Sequence, residues 1–215
     1  MNTVMLETLF LYALISYLYG AIPFAWIATY VLTKKKLSGE GTGNVGVTNA
    51  FKVGGSVVGI FTVGGEISKA LLPLFLARQF LAGSLYPTLV LLYCALLGTS
   101  FSIFLKGKGG KGTTISIWAL LFLSPYSLVM LLLLWIVMLK ISRGYSFIKK
   151  IPLIFVPLII FLVERDIIFA LFGLLTSIHF LVTSFIRKDD FLHYGIFHKR
   201  IELKNGGTSS PPRAI

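Results

Sequence analysis

Two short stretches of this sequence combine glycine with lysine, hydroxyl and amide side chains at spacings suited to phosphate. The first reads Gly39-Glu40-Gly41-Thr42-Gly43-Asn44-Val45-Gly46-Val47-Thr48-Asn49, the second Lys106-Gly107-Lys108-Gly109-Gly110-Lys111-Gly112-Thr113-Thr114. Glycine lets backbone N–H groups converge on an anion, and a helix N-terminus adds partial positive charge. Both stretches are expected to lead straight into a helix. Lys108 and Lys111 would supply point charges for a phosphate. Thr42, Asn44, Thr48 and Asn49 would add neutral donors and acceptors. The plainer reading of the second stretch is a pliable loop whose lysines meet anionic lipid, at about 1 kcal/mol each. The glycines interleaved among those lysines favour a phosphate cradle.

Other patterns lead away from nucleotides. Gly41, Gly43 and Gly46 fit G-x-G-x-x-G, but an apolar helix precedes them where a dinucleotide site needs a strand. The second stretch resembles a P-loop only in composition, since it lacks G-K-[ST] at the required spacing. Gly55 and Gly59 form a small-xxx-small pair, read as a face for close helix packing. Glu66 and Lys69 lie within an apolar run at i and i+3, on one helical face. Ionisable groups at such depth are functional candidates by default, with mutual neutralisation as the plain alternative. His179 also lies in an apolar run, where a hydrogen bond to a neighbouring helix is expected rather than a ligand. His193 and His198 fall in a basic tail and read as solvated.

These residues need elements to hold them, and the composition says which. Of the 215 residues 56% are hydrophobic and only 13% charged, with a net charge of +12. That is about half the charged fraction of an average soluble domain. The basic residues form clusters between long apolar runs, as on the cytoplasmic loops of a membrane protein, so nucleic acid is not an expected partner. Cys94, the one cysteine, lies among apolar neighbours and reads as an inert thiol; it excludes an internal disulfide or a Cys-rich metal site. No metal and no cofactor are expected.

Residues 1–30 form an apolar run too long for a signal-peptide core and without a basic start. The run reads as a retained transmembrane helix kinked at Pro23. Further runs cover residues 53–77, 85–105, 113–139, 151–163 and 167–186, against about 20 residues for a spanning helix. The lysine-rich loops are assigned to the cytoplasm by the positive-inside rule. Residues 113–139 carry basic flanks at both ends, and Ser124-Pro125 lies near their middle. Two short helices turning there would return the chain to the cytoplasm. The fold expected is an all-α, polytopic membrane bundle of about seven segments, N-terminus outside and C-terminus cytoplasmic; five or six segments is the alternative. Residues 1–204 form the membrane domain, and 205–215 read as a disordered tail.

Gly41-Thr42-Gly43-Asn44-Val45-Gly46-Val47-Thr48-Asn49 resembles the first motif of the bacterial acyl-phosphate:glycerol-3-phosphate acyltransferases, the PlsY family, and Lys108-Gly109-Gly110-Lys111-Gly112 its second. Glu66-x-x-Lys69 falls where that family commonly has D-x-x-K. The resemblance implies a membrane enzyme of the bacterial plasma membrane whose site faces the cytoplasm. Its members move a fatty acyl group from acyl-phosphate to the 1-hydroxyl of glycerol 3-phosphate, giving lysophosphatidic acid and phosphate. It implies catalytic roles for Thr42, Asn44, Thr48 and Asn49. Phosphate binding would fall to Gly41, Gly43, Gly46, Lys108, Gly109, Gly110, Lys111 and Gly112. Glu66, Lys69, Tyr145 and Arg187 would support them.

The chain departs from the family pattern at several points. Thr42 replaces the motif serine, Ser38 and Gly39 occupy the region of a usual arginine, and Thr99 stands in place of a histidine. Of the third motif, H-R-E-N, only Arg187 survives. Near Tyr145 a usual serine-rich stretch reads Ser146-Phe147-Ile148-Lys149-Lys150. With neither a motif histidine nor an unpaired carboxylate nearby, a substrate phosphate oxygen is the candidate proton acceptor. Two other readings stay open: a paralogue that binds lipid or phosphate ligands, with altered or no catalysis, and a transporter whose path Glu66 and Lys69 line. Neither oligomeric state nor acyl-chain length is encoded in these motifs.

Overall fold

The computed structural model describes residues 3–141 and 151–187. Tyr145, His193, His198 and residues 205–215 lie outside that range. Among the described residues all regular structure is helical: α1 (Thr3–Gly20), α2 (Phe24–Thr33), α3 (Val47–Phe80), α4 (Leu85–Ser100), α5 (Thr113–Leu123), α6 (Pro125–Ile141), α7 (Pro152–Glu164) and α8 (Ile167–Ile186). Short 3₁₀ turns occur at Leu37–Gly39 and Ile103–Leu105. By length and composition four stretches can cross a bilayer: Thr3–Thr33, Val47–Phe80, Leu85–Leu105 and Ile167–Ile186. α5, α6 and α7 are apolar but shorter, about 17, 26 and 20 Å long at 1.5 Å per residue.

Large apolar side chains such as Phe10, Phe61 and Tyr126 are exposed on the outer face of the bundle, as lipid permits. Since lipid tails are as apolar as leucine, such helices associate through close packing and polar contacts. The α1–α4 seam shows both. A side chain at Gly98 would lie 2.1 Å from the Tyr17 carbonyl oxygen, and one at Gly20 2.2 Å from that of Ala95. The helices therefore touch backbone to backbone.

The first apolar run is broken rather than kinked. α1 ends at Gly20 and α2 begins at Phe24, because Pro23 has no N–H to continue the ladder. The carbonyls so released need donors inside a membrane. α4 and the turn after it supply them: Thr99 Oγ1 donates to Gly20 O (3.1 Å) and Ser102 Oγ to Ala21 O. Thr99 thus holds the end of α1.

Residues 113–139 divide at Ser124, as the Ser124-Pro125 pair predicts. Ser124 Oγ donates to Glu164 Oε1 at the α7–α8 turn, tying the two turns together. Asp166 caps α8 by accepting from Phe169 N at 2.9 Å. The Gly55–Gly59 pair is not the helix-packing face its spacing suggests. Gly55 has φ 80° and interrupts α3, while a side chain at Gly59 would strike the Phe51 ring of the same helix.

The α1–α4 seam yields a prediction. Gly98→Leu forces those helices apart and costs about 3 kcal/mol or more. A fall of about 10 °C in Tm is then expected for the detergent-solubilised protein. An unchanged melting curve would contradict the packing described.

Candidate functional site

Three segments meet at one end of the bundle: the loop before α3, the loop before α5 and the end of α8. In the first loop Asn49, fully buried in the first turn of α3, is the organiser. Its Oδ1 accepts from Thr42 N (3.2 Å), and its Nδ2 donates to Glu40 O (3.1 Å) and Asn44 O (2.9 Å). Thr42 Oγ1 accepts from Asn44 N at 3.2 Å. Thr42 and Asn44 are buried and Thr48 is half-buried. Gly41 and Gly43 take positive φ in the turn, and Gly46 is the N-cap of α3.

The second loop lies flat on the last turn of α4. Gly109 N donates to Ser100 O (3.2 Å) and Gly110 N to Thr99 O (3.0 Å), so the loop caps carbonyls that the helix end leaves without partners. Only glycine allows this approach. A side chain at Gly109 would lie 2.1 Å from Thr99 O, and one at Gly110 2.9 Å from Val45 O. The second contact seats this loop on the first. Lys108 is exposed and Lys111 half-buried.

Each loop ends in a glycine N-cap, Gly46 for α3 and Gly112 for α5, with no side-chain capping hydrogen bond. The first amides of a helix have no intrahelical partner and favour negative charge. Two such N-termini, together with Lys108 and Lys111, make a region built for anions. A third cation closes it. Arg187, just past α8, donates through Nη2 to Gly107 O (2.8 Å) and Ser100 O (3.2 Å). Burial pushes its pKa down, yet a guanidinium remains charged at neutral pH.

Glu66 and Lys69 lie in α3 beyond its interruption at Gly55. They form a buried ion pair of 2.7 Å within α3, with Lys69 Nζ 5.5 Å from the centre of the Phe24 ring. Ala70, next to Lys69, shares a buried cluster with Leu96 of α4 and Ile115 in the first turn of α5. Beside the pair, a cleft of about 430 Å³ opens between α1, α2 and α3, lined by residues including Tyr19, Phe24 and Gly64. His179 forms the interhelix hydrogen bond expected of it, to Ser100 Oγ at 2.8 Å. Ser100 itself carries no motif signal; only its place just ahead of the second loop could have drawn notice. No group of three or more His, Cys, Asp or Glu side chains that could hold a metal occurs among the described residues.

Comparison with known proteins bears on the family and the fold. The family described as Glycerol-3-phosphate acyltransferase matches residues 10–189. A protein of that name from Lactococcus lactis is 35% identical over 181 residues, covering 83% of this chain and 78% of the relative. One from Pelagibacter ubique is 33% identical over 155 residues, covering 71% and 78%. One from Syntrophomonas wolfei is 35% identical over 130 residues, covering 60% and 66%. The fold is similar to that of PlsY (YgiH), an integral membrane glycerol 3-phosphate acyltransferase, in its glycerol 3-phosphate form. That likeness has a TM-score of 0.68 at 20% identity and covers 92% of each chain. The lysophosphatidic acid form gives 0.65 at 19% identity with the same coverage. With most of its length matched by the family, and its two glycine loops seated side by side, the chain belongs to the glycerol-3-phosphate acyltransferase family.

Proposed function

We propose that this protein transfers a fatty acyl group from acyl-phosphate to the 1-hydroxyl of glycerol 3-phosphate. The observation that carries the reading is the contact of Gly110 with Val45, which sets two anion-binding loops edge to edge. A reaction between two phosphate-bearing substrates needs two such places close together, and holding both reactants there lowers the entropic part of the barrier. Curated relatives named for the same acceptor support it, as does the likeness to a glycerol 3-phosphate form.

The 1-hydroxyl oxygen attacks the acyl carbonyl carbon and forms the ester C–O bond. The bond from that carbon to the phosphate oxygen breaks, and inorganic phosphate leaves. The hydroxyl proton passes to a phosphate oxygen of the substrate. Backbone N–H groups and the cations Lys108 and Lys111 stabilise the charge that gathers on the leaving phosphate. Thr42, Asn44 and Asn49 act chiefly by holding the first loop in shape, with Thr48 beside them at the start of α3. Lysophosphatidic acid then leaves into the bilayer. The four long stretches and the three shorter helices serve as seven membrane segments, with the N-terminus outside. The loops face the cytoplasm of a bacterial plasma membrane, where the lysine clusters place them. The Glu66–Lys69 pair, closed on itself, supports helix packing rather than a transport path.

Purified protein in detergent tests the reading directly. Given palmitoyl phosphate, it releases phosphate only when glycerol 3-phosphate is present, and lysophosphatidic acid appears in equal amount by mass spectrometry. Palmitoyl-coenzyme A acting as well as palmitoyl phosphate would overturn the donor assignment. Lys108→Ala and Lys111→Ala each lower kcat/KM by about 10- to 100-fold, as loss of a charge-assisted hydrogen bond predicts. Asn49→Ala removes the hydrogen bonds that shape the first loop, and a fall in kcat/KM of about 100-fold is expected. Wild-type kinetics in that variant would show that the loop does not depend on Asn49.

A further inference from the structure

Arg187, just past α8, holds the lysine loop directly, while deeper in α8 His179, outside the motifs quoted above, reaches the end of α4 on which that loop lies. His179 is buried, with ring edges of Tyr93, Phe101 and Phe180 around it at centroid distances of 6.2, 5.8 and 5.9 Å. An apolar side chain would pack among those rings at no polar cost, whereas a buried imidazole is costly unless it is hydrogen-bonded. What the histidine adds is its 2.8 Å hydrogen bond to Ser100 Oγ. Ser100 ends α4 and is itself fully buried. Its carbonyl accepts from Gly109 N and from Arg187, and its hydroxyl would lie 3.1 Å from a side chain at Gly112. Ser100 is therefore touched by α8 on one side and by both ends of the glycine loop on the other.

We propose that His179 is a positioning residue for acyl transfer. By holding Ser100, it fixes the last turn of α4 and with it the register of residues 107–112. That register aims Lys108, Lys111 and the N-terminus of α5 at phosphate. The kinetic consequence rests on the acyl-transfer reading; the mechanical one does not.

Four variants test it: His179→Phe, which keeps the ring packing; His179→Gln, which keeps a hydrogen-bonding group; Ser100→Ala; and the double variant His179→Phe with Ser100→Ala. Acylation of glycerol 3-phosphate by palmitoyl phosphate should show a KM raised about fivefold in His179→Phe and in Ser100→Ala. kcat should stay within about twofold, and the double variant should be no worse than either single one. His179→Gln should recover most of the loss. Tryptic cleavage after Lys106 and Lys108, followed by mass spectrometry, should speed up about fivefold in the same variants and return toward wild type in His179→Gln. Additive effects in the double variant, or unchanged KM and cleavage rates, would overturn the proposal. Should His179→Phe fail to fold, Ser100→Ala and His179→Gln decide the matter by the same two readouts. If the wild-type protein does not use palmitoyl phosphate, the acyl-transfer reading falls, and the cleavage rates still accept or reject the His179–Ser100 link.

Discussion

The site hangs on one contact, the backbone of residues 107–112 lying on the last turn of α4. Gly109 and Gly110 donate to the carbonyls of Ser100 and Thr99, and neither position has room for a side chain. A helix end inside a membrane protein leaves carbonyls that must find donors. Here the donors belong to the glycine–lysine loop, so helix termination and loop geometry become the same event. The approach also brings Gly110 against Val45, which joins the second loop to the first. Any wider side chain there would separate the two loops.

That contact extends into the rest of the bundle through Thr99. Its carbonyl holds Gly110, while its hydroxyl reaches across to Gly20 at the broken end of α1. The break itself follows from Pro23, and Ser102 satisfies the neighbouring carbonyl of Ala21. α1 can lie this near only because Gly98 and Gly20 let the two backbones touch. The close seam and the polar repair are thus mutually dependent, each requiring the other's geometry. α8 completes the frame from the opposite side through His179 and Arg187.

Charge is arranged along the same axis. Two helix N-termini, Lys108, Lys111 and Arg187 lie at one end, and Glu66 and Lys69 are paired within α3. A buried pair of this kind costs desolvation that its own attraction repays only with good geometry. The 2.7 Å distance and the Phe24 ring under Lys69 provide that geometry.

Much of this was legible in the sequence, for local reasons. Apolar run lengths mark membrane helices, Ser124-Pro125 marks the division of residues 113–139, and glycine among lysines marks loops that open into helices. Each depends on a residue and its near neighbours, so a linear reading suffices. Where the outcome depended on partners far along the chain, it did not. Gly55 and Gly59 have the spacing of a packing face, yet a positive φ and the Phe51 ring decide their use. Glu66 and Lys69 read as a pair on one helical face, and only the fold shows that the pair is buried beside the Phe24 ring. Thr99, Ser100 and His179 carry no phosphate signal of their own. Their importance arises because Ser100 and His179 are brought to 2.8 Å across 79 positions of sequence. The sequence alone determined a membrane bundle and two glycine-rich loops that open into helices. Only the tertiary structure decided that the loops touch and which helix ends hold them, because both rest on close approach between backbones far apart in the chain.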